Sequence, residues 1–132
     1  MILAWALLAT FAVVAVLDGA WLLGVARGFY RTHLGFLMAE RPNWAAAGAF
    51  YLLYAIGVTV FATQPGIDDG SAVTAAWRGG LFGLVAYATY DLTNMATLRG
   101  WPTIVTIVDM AWGTVLSAAV AGIAAVVILQ LT

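Results

Sequence analysis

Apolar residues in this chain come in four long runs, at about 2–26, 43–63, 72–98 and 103–131, with short polar segments between them. Each run has roughly the 20 residues a helix needs to cross the hydrocarbon of a bilayer. The first is apolar except for Thr10 and Asp18, and the second carries no charge and sets Phe50, Tyr51, Tyr54 and Phe61 at helical spacing. The third has Arg78 near one end and finishes in Tyr87, Tyr90, Asp91, Thr93 and Asn94, and the fourth holds Asp109 and Trp112. Residues 27–42 break the pattern, with Arg27, Arg31, Glu40 and Arg41 alternating with Phe29, Tyr30, Leu34, Phe36 and Leu37. That alternation predicts an amphipathic stretch lying in the interface, with Pro42 starting the next helix. Gln64-Pro65-Gly66 predicts the end of the second run, with Ser71 as the cap of the third. The pattern therefore predicts an all-α protein, a transmembrane four-helix bundle forming a single domain over 1–132.

Four spans place both termini on one side. Arg27, Arg31, Arg41 and Arg99 fall in the two loops at one end of such a bundle, whereas Asp68 and Asp69 occupy the loop at the other. Because arginine is enriched on the cytoplasmic side, the termini are expected on the periplasmic side of a bacterial inner membrane. The first run has no basic residue near Met1 and no small-x-small site before Trp21, so it reads as a span and not as a cleaved leader.

Composition narrows the picture. Hydrophobic residues make up 64% of the chain and charged residues 8%, against roughly a quarter charged in soluble domains, so a soluble fold is excluded. A formal net charge of −1, with no lysine, gives no surface that could neutralise nucleic-acid phosphates. Without cysteine there is no disulfide, thiolate nucleophile or iron–sulfur cluster. Ser71 and Ser117 have no base near them in sequence, so no catalytic residue is assigned and the pattern leans against an enzyme.

The chemical content lies in the three intramembrane carboxylates. An ionised Asp at mid-helix costs about 2.5 to 3.5 kcal/mol on insertion scales, so each needs a partner, a proton or a use. Asp18 lies nine residues before Arg27, Asp91 eight before Arg99, and Asp109 seven after Pro102. At 1.5 Å per residue all three sit roughly 10 to 14 Å in from the same membrane face. Helical spacing lines up Gly80, Gly83, Tyr87, Asp91 and Asn94 on one stripe, sets Asp18 beside Trp21, and puts Asp109 between Thr106 and Trp112. Tyr51 and Tyr54 complete the expected wall. The predicted ligand- or proton-binding set is Asp18, Asp91, Asp109, Asn94, Tyr87, Tyr54, Trp21 and Trp112. No cofactor is implied, although three Asp would suit a divalent cation such as Mg²⁺, Ca²⁺ or Mn²⁺.

Each of these residues has a plainer reading. The acids can serve as helix glue, protonated or hydrogen-bonded to Tyr and Trp, although intramembrane acids lean toward function. His33, alone of its kind, reads as a solvated interfacial residue. Arg78 reads as snorkelling to phosphate or pairing with Asp68 or Asp69, and Trp5, Tyr30, Trp44, Trp77 and Trp101 as interfacial anchors.

The stretches DGAW at 18–21, FYRTHLG at 29–35, FYLLYAIG at 50–57, YATYDLTN at 87–94 and DMAWG at 109–113 together resemble a family of small bacterial four-helix membrane proteins catalogued as a domain of unknown function. The resemblance covers nearly the whole chain. It implies a bacterial inner-membrane protein with Asp18, Asp91 and Asp109 in recurring motifs, and it transfers no catalytic role. Three functions fit. A small proton- or cation-linked transporter, working as a homo-oligomer, ranks first. A lipid-binding or lipid-modification accessory protein follows closely, and a structural or assembly subunit comes third. The bilayer is the expected partner, with a small-molecule or lipid ligand in the pocket.

Overall fold

A computed structural model describes all residues, 1–132, and is 85% helical with no strand. Helix α1 (Ile2–Ala20) continues into a π-helical turn at Trp21–Val25, and the short α2 (Arg27–Leu34) follows at once. Helix α3 (Trp44–Val58) runs through a second π-helical turn, Thr59–Thr63, into α4 (Gln64–Asp68). Helices α5 (Ala72–Thr97) and α6 (Thr103–Leu131) form the closest pair. Three rods, Ile2–Val25, Trp44–Asp68 and Thr103–Leu131, are long and apolar enough to cross a membrane. Helix α5 matches them in length, but Arg78, Asp91 and Asn94 leave it less apolar.

The helix starts follow from local chemistry. Asn43 caps α3, its side-chain oxygen accepting from the Ala46 amide at 3.1 Å, so the helix begins just after Pro42 instead of on it. Ser71 caps α5 in the expected way, accepting from the Thr74 amide at 3.1 Å. The turns before α5 and α6 use Gly70 and Gly100 at φ 64° and 77°, a conformation in which a Cβ is strained.

The second rod does not stop at Gln64 as its sequence suggests. It passes through Pro65 to Asp68, and the π-helical turn just before the proline absorbs the misfit. Proline has no N–H to offer the carbonyl four residues back, which here is that of Phe61. The Arg78 Nε–H, from α5, donates to that carbonyl at 2.7 Å. Arg78 is thus committed to a backbone group orphaned by Pro65 and is not paired with Asp68 or Asp69. Asp68 accepts from Gln64 at 2.8 Å instead.

The interior is built from small residues. Ala6, Ala55, Ala62, Ala75, Ala121 and Ala125 are fully enclosed, whereas Leu53, Val115 and Leu8 stand 70%, 61% and 60% exposed. Small residues inward and large apolar ones outward is the arrangement that lipid, not water, rewards. Between α5 and α6 the backbones approach so closely that a Cβ at Gly79 would strike the Ser117 carbonyl, and one at Gly83 the Gly113 carbonyl and Ser117 side chain. Gly80, placed on the contact stripe by spacing, is looser, with Ala118 Cβ 3.5 Å from where its own Cβ would be.

Candidate functional site

At the end of the bundle bearing Arg27, Arg31, Arg41 and Arg99, the helices part around a cavity of about 900 Å³, within the size range of small-molecule sites. Its wall is mainly apolar, Leu22, Leu23, Leu34, Met38 and Phe50 among its residues. Asp18 and Asp109 supply its two carboxylates, and Arg27 and Arg31, one helical turn apart on α2, are its two exposed cations. A second hollow of about 390 Å³ lies around Arg78, Trp77 and Phe61 and contains no acid.

The polar side of the larger cavity is one connected network. Asp18 is 6% exposed and accepts from two donors, the Trp112 indole N–H at 3.2 Å and the Tyr51 hydroxyl. Trp112 stacks on Trp21, with ring centroids 4.2 Å apart and planes within 9°. The Trp21 indole N–H donates to the Tyr30 hydroxyl at 3.3 Å, and Tyr30 donates to Asp109 Oδ1 at 2.6 Å. An aromatic bridge therefore joins the acid of α1 to the acid of α6, and both indole donors are used, as buried Trp requires. Tyr30 also ties α2 to α6 across 79 positions of sequence. Its phenol is pushed above its ordinary value by burial first, then by the bond to Asp109; it stays a neutral donor.

Asp91 lies behind the cavity wall. It is fully buried, and neither carboxyl oxygen receives a hydrogen bond. Thr106 of α6 reaches the Asp91 backbone carbonyl at 3.4 Å, and Asp109, one helical turn on along the same face of α6, brings its carboxyl beside that of Asp91.

The eight residues singled out from the sequence are thus distributed unevenly. Asp18, Asp109, Trp21, Trp112 and Tyr87 line the cavity, and Asp91 sits one layer deeper. Tyr54 points elsewhere, into the bundle core, where its hydroxyl meets Ser117 Oγ at 2.6 Å. Asn94 is not part of the wall and neighbours Tyr90. The three Asp do not gather at one point: Asp91 and Asp109 meet, while Asp18 is held across the Trp pair. No group of three acidic or histidine side chains is close enough to hold a metal ion. The divalent-cation arrangement therefore fails on geometry, because the Trp21–Trp112 stack occupies the space between.

Tyr30, Arg27 and Arg31 also line the cavity and are not among the residues the spacing singles out. By position Tyr30 reads as an interfacial anchor, yet it is the main polar tie of α2. The available clue was periodicity, since Arg27, Tyr30, Arg31 and Leu34 share one face of a helix and all four line the cavity. Trp101 is likewise more than an anchor, donating to Thr106 Oγ1 at 2.9 Å. His33 is half-buried on α2, its Nδ1 2.9 Å from the Phe29 carbonyl, and takes no part in the cavity.

The family model described as "Predicted membrane protein (DUF2177)" matches residues 3–126. The chain belongs to that family, and it is a membrane protein that sits in a lipid bilayer. No curated protein and no solved structure matches it.

Proposed function

We propose that the chain is a membrane-embedded binding protein for an amphiphile with an anionic headgroup. It spans a bacterial inner membrane four times, and its cavity opens at the cytoplasmic end. The observation that carries this reading is the cavity's composition: a wall mainly of apolar side chains, with Arg27 and Arg31 one turn apart on α2. Arginine pairs so placed suit phosphate or carboxylate oxygens, and Leu22, Leu23, Met38 and Phe50 suit an alkyl chain. Asp18 and Asp109 would accept from a hydroxyl or amine on the same ligand. Helix α5 crosses as the fourth span, with Tyr87 and Tyr90 on the cavity, Asp91 buried behind it and Arg78 bonded to the second rod.

A proton- or cation-linked carrier would use the same residues, and the Asp91–Asp109 pair is the feature that favours it. Binding without passage has the stronger support because the far half of the bundle is filled. Val14, Val58, Leu116 and Val120 pack there, and Thr10 bonds Thr63 at 3.2 Å. With that core filled, a carrier would need another copy to complete a path past it.

The test uses tryptophan fluorescence, since Trp21 and Trp112 form the cavity floor. Dodecyl phosphate added to the protein in maltoside micelles should quench saturably, and dodecyltrimethylammonium should bind at least tenfold more weakly. Changing both Arg27 and Arg31 to Gln should remove that preference. Equal response to the two probes, or a preference that survives the double substitution, refutes the reading.

A further inference from the structure

Among the buried carboxylates one is chemically incomplete. Asp18 accepts from Tyr51 and Trp112, and Asp109 from Tyr30, so each has the donors an ionised carboxylate needs. Asp91 has none, although both of its oxygens are sealed from solvent. The ionisable group facing it is the Asp109 carboxyl, of its own sign, and no basic side chain faces Asp91.

Around the pair, from α2 comes the neutral Tyr30, and from α5 Tyr87 and Tyr90. From α6 comes the Thr106 hydroxyl, which reaches the Asp91 backbone carbonyl at 3.4 Å and not its side chain. Asp18 of α1 stands across the tryptophan stack, with Tyr51 and Tyr54 of α3 on its far side. Arg27 and Arg31 are exposed at the mouth.

Burying an isolated carboxylate costs so much that the group neutralises instead, and two adjacent carboxyls without a cation titrate as one unit. A single proton resolves both difficulties, turning one carboxyl into the donor its neighbour lacks. We propose that Asp91 and Asp109 form a proton-binding site in the floor of the cavity, sharing one proton at neutral pH, with Tyr30 bonded to the outer oxygen. This site stands whether or not the cavity takes an amphiphile. It makes Asp109 the point at which a ligand in the cavity would touch the proton.

Infrared spectroscopy of the ligand-free protein in maltoside micelles, which lack ester carbonyls, tests it. At pH 7 the protein should show the carbonyl stretch of a protonated carboxyl, sensitive to deuterium exchange and shifted when the aspartates are ¹³C-labelled. Asp91→Asn, whose amide can still donate to Asp109, should abolish the band, and Asp18→Asn should keep it. The proposal is overturned if labelled wild-type protein shows no such band, a measurement that does not depend on any variant folding. It is equally overturned if the band persists in Asp91→Asn or disappears in Asp18→Asn alone.

Discussion

Replacing Tyr30 by Phe removes one hydroxyl and keeps the ring, so it isolates what holds α2 over the cavity. That helix has eight residues, too few to persist in isolation. Its tie to the bundle is the 2.6 Å bond from Tyr30 to Asp109, supported by the 3.3 Å bond from Trp21. A hydrogen bond to a charged acceptor contributes about 1.5 to 3 kcal/mol. Because Tyr30 is only half-buried, the lower figure applies, and since each 1.4 kcal/mol is a factor of ten, the undocked population of α2 should rise roughly tenfold. Hydrogen–deuterium exchange followed by mass spectrometry measures this directly. Peptides covering 27–38 should exchange about tenfold faster in Tyr30→Phe, while those covering 116–125, in the packed half, keep their wild-type rates. Unchanged exchange in 27–38 would show that α2 is held by its apolar contacts alone.

Further expectations follow from the same geometry. Tyr30, raised above its usual 10.0 by burial and then by Asp109, binds its proton more tightly docked than undocked. Docking of α2 should therefore hold at full strength below about pH 10 and weaken as pH rises above it, and Tyr30→Phe should lose that dependence in the same exchange experiment. Gly83→Ala should lower the thermal stability of the detergent-solubilised protein by about 1 to 3 kcal/mol through overpacking against Gly113 and Ser117. Gly80→Ala, which has room, should change it little. Arg78→Met should cost about 1 to 3 kcal/mol by leaving the Phe61 carbonyl unpaired. Adding Pro65→Ala, which restores an N–H to that carbonyl, should recover most of the loss, and simple additivity in that double-mutant cycle would contradict the pairing.

The long rods were legible because apolar length and turn residues act locally. Ser71 and the glycines at 70 and 100 announce the turns in the residues themselves. The end of the second rod is not legible locally, because Pro65 normally stops a helix and here the helix runs on to Asp68. What lets it continue is Arg78, thirteen residues further on and in another helix, and no local pattern carries that information. Helical spacing placed Gly80 and Gly83 on one stripe, and the close approach falls at Gly83 as expected but at Gly79 in place of Gly80, since the register of two packed helices depends on both partners. Distance along each helix sets the three Asp at a common level but not their azimuth. The tryptophan stack that separates Asp18 from the other two could not be deduced from spacing along single helices. Tyr30 escaped notice because a tyrosine at a membrane interface already has an ordinary explanation.

Native mass spectrometry of the protein released from micelles bears most directly on what the cavity is for. Wild-type protein should carry one retained amphiphile containing phosphate or carboxylate, and the form with Arg27 and Arg31 both changed to Gln should be bare. Wild-type protein that flies without any adduct, or the same adduct retained after both arginines are gone, would contradict the account.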